Sequence, residues 1–408
     1  PLDLNRIPFC YGGVEDFRNR IIYYESSRGC PFSCSYCLSS IDKCLRFREI
    51  ELVKKELQFF IDKKVPQVKF VDRTFNCRHD HAMAIWTYIH EHDNGITNFH
   101  FEVSADLLNE KEIALINRMR PGLIQLEIGV QSANEITIRE INRTMKIDVL
   151  STIVDKIKKG NNVHQHLDLI AGLPYEGYES FGKSFDRVYK MNPEQLQLGF
   201  LKVLKGSVMH DRAQEYGIVY QDRAPYEVLS TKWLTYAEVI RLKQIEEMVE
   251  VYYNSGQFCC TMAALEQEFA SPFCMYECLA AYYDEKNAFA VSHSRIGRYE
   301  ILYDFIVKTC KERSEQYMEM LTLDMYLRDN VKKRPEFLRE SGVSSDEAAA
   351  FYKKEEKERT YLKAYEGYDR RQMRKMTHLE RIDGKTVLFD YKNRDPLTGN
   401  AAIYYLSE

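Results

Sequence analysis

Three cysteines stand close together in a chain of 408 residues: Cys30, Cys34 and Cys37, in the stretch Gly29-Cys30-Pro31-Phe32-Ser33-Cys34-Ser35-Tyr36-Cys37. A C-x3-C-x2-C trio puts three thiolates on one short loop, which suits a soft metal centre. A structural zinc ion would want a fourth ligand at tetrahedral distance. Cys44 or His79 could supply it, but neither sits at the usual paired spacing. A [4Fe–4S] cluster is normally held by four cysteines, so three leave one iron open to an outside ligand. Such a centre does chemistry rather than scaffolding. Three incidental core thiols are the third reading, since free cysteine often packs as a small hydrophobe.

The chain has eleven cysteines in all and no basic-then-apolar leader pattern, so a disulfide framework is not expected. A second grouping, Cys259-Cys260 with Cys274 and Cys278, could hold an auxiliary cluster. Cys274 and Cys278 share one helix face at i and i+4. Their neighbours Phe273, Met275 and Tyr276 favour plain core packing instead. Lys+Arg number 57 against 61 Asp+Glu, a net charge of −4, which argues against binding nucleic acid by bulk charge. Hydrophobic residues make up 45% of the chain, enough for a substantial core. No apolar run approaches the ~18 residues of a membrane span. The expectation is a soluble, cytoplasmic protein with no membrane partner.

The elements that must position the trio alternate. Apolar or β-branched runs at 21–24, 68–71, 99–103, 124–128, 166–170 and 196–200 read as strands. Helical patterns occupy 49–63, 82–92, 110–119, 134–142 and 149–159. This is βα spacing and predicts an α/β fold with a parallel sheet: a partial (β/α)6 TIM-like barrel rather than a closed eightfold one. The cysteine loop follows the first strand and so sits at the carboxyl ends of the strands, where parallel barrels collect ligands. Beyond about residue 225 the pattern turns helical, over 233–253, 296–310 and 315–329, with a charged, solvated helical region at 331–377. Runs at 385–391 and 401–406 read as a terminal β-hairpin. The expected domains are an N-terminal linker (1–19), the barrel (20–206) and a mainly helical C-terminal substrate or capping domain (207–408).

The trio, with Tyr36 just before its last cysteine and a strand just ahead, resembles the radical S-adenosylmethionine (SAM) enzymes, over about residues 20–205. The resemblance implies a [4Fe–4S] cluster on Cys30, Cys34 and Cys37, SAM as cofactor, and an external electron donor such as flavodoxin or ferredoxin. It implies reductive SAM cleavage to a 5′-deoxyadenosyl radical that removes a hydrogen from substrate. The second strand runs into Phe70-Val71-Asp72-Arg73-Thr74-Phe75, an F-x-D-x-x-F element of the cobalamin-associated branch in place of the common Gly-Gly-Glu. By the same matching, Tyr36, Asp72, Glu102, Ser104, Gln131, Arg143 and Asp168 contact SAM. Glu102, from the third-strand end Phe101-Glu102-Val103-Ser104, takes the ribose, as does Gln131, from the run Glu127-Ile128-Gly129-Val130-Gln131-Ser132, and Arg143 of the Asn142-Arg143 pair takes the carboxylate. Gly172-Leu173-Pro174 lies by the adenine.

The whole chain resembles radical SAM proteins that normally carry an N-terminal cobalamin domain, with Tyr252-Tyr253-Asn254-Ser255-Gly256-Gln257-Phe258 among the matching stretches. Only about 20 residues precede the first strand, too few for such a domain, and no Asp-x-His-x-x-Gly element is present. The preferred expectation is a member that works without cobalamin. Within this branch the resemblance implies a lyase releasing queuine from queuosine or its 5′-phosphate, a small nucleoside or nucleotide substrate. Lys202, Lys205, Arg295 and Arg298 are the candidate cations for a phosphate, with ordinary surface charge as their plainer reading. The alternative is a cobalamin-dependent radical SAM methyltransferase whose N-terminal domain is absent from this chain. A methylthiotransferase would need a second cysteine trio before Cys30, where only Cys10 stands. A non-catalytic metal protein would have no use for the carboxylate, glutamine and arginine set.

Overall fold

The computed structural model describes residues 2–13, 20–331 and 333–406. Part of the expected N-terminal linker, residues 14–19, therefore lies outside the described residues. The chain divides into two units, 1–246 and 247–408.

The first unit is built on six parallel strands: β1 (Ile22–Tyr24), β2 (Gln67–Phe70), β3 (Asn98–Val103), β4 (Ile124–Gln131), β5 (His164–Ala171) and β6 (Gln195–Phe200). Their order in the sheet follows the chain, and β1 and β6 pair on one side only, which leaves the barrel open. The connecting helices are α1 (Ile50–Asp62), α2 (His79–Glu91), α3 (Glu110–Ile116), α4 (Glu135–Glu140), α5 (Ile147–Lys158) and α6 (Tyr178–Tyr189). Strand periodicity sorts the side chains. In β4, Ile124, Leu126, Ile128 and Val130 are fully buried, while Gln125, Glu127 and Gly129 alternate with them on the other face. In α5 the residues Ile147, Leu150, Ile153, Val154 and Ile157 are buried at helical spacing. Phe70, Phe75, Trp86 and Phe101 form a buried aromatic knot, with Phe75 and Phe101 centroids 4.4 Å apart. Each such ring contributes roughly 1.5–3 kcal/mol by leaving water. Helix α6 escapes the sequence reading because Gly182, Ser180 and Ser184 dilute the apolar face of Phe181, Phe185 and Val188.

The second unit is mainly helical and ends in a three-stranded antiparallel sheet, Thr377–Ile382, Lys385–Arg394 and Ala401–Tyr405. The terminal hairpin is thus one edge of a larger sheet. Its first strand begins at Thr377, where the region read as solvated helix ends. The sheet packs on Tyr352, Leu362, Tyr365 and Met373 through Leu379 and Leu388. No helix among the described residues is long and apolar enough to cross a membrane.

Candidate functional site

The cysteine loop is tied off at its base before any ligand is considered. Ser27 and Arg28 pair antiparallel with Phe47 and Arg46, closing the segment between them into a loop. Asp72, just beyond β2, takes three hydrogen bonds from that base: Ser26 N at 3.0 Å, Ser26 Oγ at 2.7 Å and Ser27 Oγ at 2.6 Å. Gly29 has φ +102°, and a Cβ there would lie 2.6 Å from the Cys44 carbonyl oxygen, so only glycine lets the chain turn into Cys30. Ser35 N donates to Ile141 O and Met209 N to Ser35 O, pinning the middle of the loop.

A cavity of about 290 Å³ opens above the strand ends, and the loop forms one wall. Cys30, Cys34, Tyr36 and Cys37 line it together with Glu102, Ser104, Gln131, Arg143 and Asp168. The parallel register brings Glu102 beside Glu127 and Gly129 beside Asp168, which is how residues far apart in sequence meet. Between Gly129 and Gln131 the register slips, and Gln131 adopts φ +72°. The slip re-aims Gln131, as bulges at barrel rims do: its Nε2 donates to Asp168 Oδ2 at 3.2 Å. Gly129 leaves the room for this, since a Cβ there would lie 2.5 Å from Gln131 Nε2 and 3.1 Å from Arg143 Nη2. Arg143 donates to the Gly129 carbonyl and lies 3.9 Å from Cys34 Sγ and 3.5 Å from Tyr36 Oη.

Burial sets the electrostatics. It pushes the Asp168 carboxyl up to about 6, with Arg143 pulling the other way. The Cys34 thiol is raised by burial and held back by the same guanidinium. Below them, Glu127 is held at about 2, chiefly by His100 Nε2 at 2.9 Å and then by Lys69 Nζ at 2.9 Å, against the pull of burial.

Two sequence expectations land elsewhere. Asp72 does not line the cavity; it is wholly buried under the loop base, and its carboxyl is raised to about 6 by that burial. Lys202 forms an isolated antiparallel backbone β-bridge with Glu227, and Lys205 Nζ lies 5.8 Å from the Tyr226 ring centroid; neither lines the cavity. Arg295 and Arg298 belong to the second unit, where Arg295 pairs with Asp329 and the Arg298 carbonyl accepts from Tyr252 Oη. Conversely, Arg73, Thr74 and Glu127 line the cavity without having been assigned a role. Arg73 Nη1 donates to both Glu102 oxygens, at 3.0 and 3.1 Å. Thr74, a β-branched residue at φ +64°, places its Oγ1 3.5 Å from Cys30 Sγ. Such an outlier marks a constrained position, and the signal available in sequence was the F-x-D-x-x-F element that contains both residues.

The donor set discriminates between the metal readings. A tetrahedral zinc thiolate site holds its sulfurs about 3.8 Å apart, and the three sulfurs here do not lie within 4.8 Å of one another. Of the proposed fourth ligands, His79 Nδ1 already pairs with Glu112 at 2.9 Å, and Cys44 is exposed. A wider trio beside a cavity fits a cluster several atoms across. Gln131 Oε1, Arg143 Nε and Asp168 Oδ1 are buried with no hydrogen-bond partner. Buried polar atoms are normally satisfied, so an acceptor, a guanidinium and a carboxylate left open at one cavity fit a polar cofactor such as SAM.

Comparison with known proteins agrees with this reading. A family model of the radical SAM superfamily matches residues 24–188. A second family model, described as a protein of unknown function (DUF4080), matches residues 214–396. The oxygen-independent coproporphyrinogen III oxidase of Salmonella typhimurium is 29% identical over 107 residues, 25% of this chain and 23% of that protein. The bacteriochlorophyllide d C-12(1)-methyltransferase of Chlorobaculum tepidum is 25% identical over 178 residues, 42% of this chain and 37% of the relative. The chain therefore spans less than half the length of these curated relatives. Among solved structures, the cobalamin-dependent SAM radical enzyme OxsB superposes with a TM-score of 0.47 at 12% identity, covering 76% of this chain and 55% of OxsB.

Proposed function

We propose, from the premise that residues 24–188 are a radical SAM domain, that the protein cleaves SAM at a [4Fe–4S] cluster on Cys30, Cys34 and Cys37 and takes a hydrogen atom from a small-molecule substrate. One observation carries this: three thiols share a cavity with Gln131, Arg143 and Asp168, each holding a buried polar atom without a partner. When bound, the cluster and SAM supply an electron from an external donor and a 5′-deoxyadenosyl radical.

The chain's own residues bind and orient. Arg143, between the loop and the Gly129 carbonyl, is the cation for the SAM carboxylate, its planar fork suited to two parallel hydrogen bonds. Glu102 offers two acceptor oxygens to a vicinal diol, exchanging the half-exposed Arg73 for ribose hydroxyls. Gln131 and Asp168 complete that face, with Ser104 and Tyr36 on the flanking walls. Asp72 is a positioning residue: it fixes the loop base from which the three cysteines project.

The substrate in this reading is a nucleoside or nucleotide, specifically queuosine or its 5′-phosphate, split to release queuine without cobalamin. Support comes from the whole-chain resemblance and from the polar cavity lining of Glu102, Ser104, Glu127 and Asp168, which suits a hydroxyl-rich molecule. Removing a ribose hydrogen beside the N-glycosidic bond leaves a sugar radical from which the base departs with the bonding pair and takes up a proton from a sugar hydroxyl, without hydrolysis. One electron from the external donor and a proton then quench the radical left on the sugar. For a phosphate, Arg73 on the cavity wall is the candidate cation. The second reading, a cobalamin-dependent methyltransferase, is favoured by the 178-residue similarity to the Chlorobaculum tepidum methyltransferase.

Anaerobic incubation with SAM, dithionite and ribose-deuterated queuosine 5′-phosphate, with and without cobalamin, separates them. Free queuine together with deuterium in 5′-deoxyadenosine supports the lyase. Methylated product only on adding cobalamin assigns the second reading, and base release without SAM or reductant points to a hydrolase.

A further inference from the structure

The Tyr252–Phe258 stretch, shared with the family but idle in the mechanism above, passes through a π-helical turn at Glu250–Asn254. Such turns are frequent at functional sites. It delivers two adjacent cysteines to the first turn of the helix Cys259–Leu265. Asp324, on the helix Ser314–Arg328, reaches across to meet them. Its Oδ1 accepts from Cys260 N at 2.9 Å and lies 3.4 Å from Cys259 Sγ, while Oδ2 accepts from Thr261 N at 2.8 Å. The two sulfurs are 4.0 Å apart. Among the described residues this is the one trio of Cys, His, Asp or Glu ligand atoms lying within 4.8 Å of one another.

Helix capping accounts for the two amides but not for a pair of thiols gathered on the same carboxylate. Asp324 is 1% exposed. Its two oxygens accept backbone amides of the neighbouring helix, Cys260 N and Thr261 N. A buried carboxylate is ordinarily paired with a cation or coordinates a metal. The spacing fits one ion. With Zn–S at 2.3 Å and Zn–O at about 2.0 Å, tetrahedral geometry puts sulfurs about 3.8 Å apart and sulfur and oxygen about 3.5 Å apart. The observed 4.0 and 3.4 Å lie within a few tenths of an ångström of both.

We propose that Cys259, Cys260 and Asp324 form a metal site on the second unit, two thiolates and a carboxylate that bind one zinc-class divalent cation. The fourth position faces the side on which Cys259 is exposed and takes water. Binding releases the two thiol protons to solvent and clamps the helix Cys259–Leu265 to the helix Ser314–Arg328. Cys274 and Cys278 take no part, because no third ligand atom joins them at this distance among the described residues. An auxiliary iron–sulfur cluster is the competing occupant, and the compact spacing disfavours it.

The test uses the full chain with its cluster reconstituted anaerobically, then equilibrated with micromolar Zn²⁺ and passed through a desalting column. Metal is counted by mass spectrometry in the native protein, in Cys259→Ser/Cys260→Ser and in Asp324→Asn, with circular dichroism checking the fold of each. The expected result is about one zinc per native chain, none in the double variant, and at least tenfold weaker zinc binding in Asp324→Asn. Iron stays at four per chain throughout. Zinc below about a tenth of an equivalent in the native chain, zinc unchanged in the double variant, or iron lost in its place would each overturn the site. Co²⁺ in place of Zn²⁺ adds a second readout, a thiolate charge-transfer band that the double variant lacks. Failure here would leave the barrel cluster untouched, since SAM cleavage is not among these measurements.

Discussion

The two thiol groupings of this chain hold the same side chain in opposite settings. Cys30, Cys34 and Cys37 stand on a loop that sheet pairing and Asp72 close at its base, so their sulfurs spread along the wall of an open cavity. Cys259 and Cys260 are consecutive in a helix and drawn onto one buried carboxylate, so their sulfurs nearly touch. Spacing along the chain and the surface that receives it decide the chemistry: a spread trio with unsatisfied polar neighbours suits a multi-iron cluster that meets a cofactor, and a tight pair with a carboxylate suits a single ion.

That contrast can be broken from several sides. The largest effect is expected in the barrel: replacing any one of Cys30, Cys34 or Cys37 with Ala should remove the brown absorbance and the four irons, while leaving zinc at the second site unchanged. Next, Arg143→Ala should keep the iron but weaken SAM binding by about 1.5–3 kcal/mol, roughly tenfold to hundredfold, as loss of a buried charge-assisted contact does; equilibrium binding of SAM to the reconstituted protein measures it. Asp72→Ala strips the loop base of three acceptor contacts. Each donor left unsatisfied costs about 1–3 kcal/mol, so the variant should melt earlier and take up iron poorly, whereas a SAM-contacting role would spare both.

The smallest is a change of slope. Glu176 is 1% exposed and accepts Ser132 Oγ at 2.7 Å and Ser184 Oγ at 2.6 Å, and burial raises its carboxyl from 4.5 to about 7. A carboxyl raised in the folded state favours folding fully below pH 4.5, and that contribution is lost as pH rises through 7. Melting temperature should therefore fall across this window, and Glu176→Gln should flatten the fall by up to one proton's worth; an unchanged slope would contradict the assignment.

Much of the barrel was legible in the sequence because it rests on short-range pattern. The six strands alternate or run apolar, the helices repeat at 3.6, and both signals are strong where a single face is buried, as in α5. The site was legible in residue type but not in placement. Asp72 reads as a ligand from the motif, and only the fold shows that three donors from the loop base already occupy it. Arg73 and Thr74 went unassigned because their importance comes from a partner across the sheet and from a positive φ, neither of which a linear pattern carries. At the other end of the chain, Ile382-Asp383-Gly384-Lys385 held a hairpin signal: both central residues sit at positive φ, +48° and +72°, as the Asp-Gly turn requires. The dense Lys, Arg and Glu of the preceding region masked the strand Thr377–Ile382 that leads into it. Asp324 gave no signal at all, since 63 residues separate it from Thr261, whose amide it accepts.

The central claim is that the Cys30–Cys34–Cys37 cavity cleaves SAM. Its direct measurement is 5′-deoxyadenosine formed under strict anaerobiosis from SAM and dithionite, by the reconstituted native chain and by the Cys30→Ala/Cys34→Ala/Cys37→Ala variant. The account predicts 5′-deoxyadenosine and methionine in equal amounts from the native chain and none from the variant. Equal 5′-deoxyadenosine from both, or none from a native chain that holds its four irons, would contradict it.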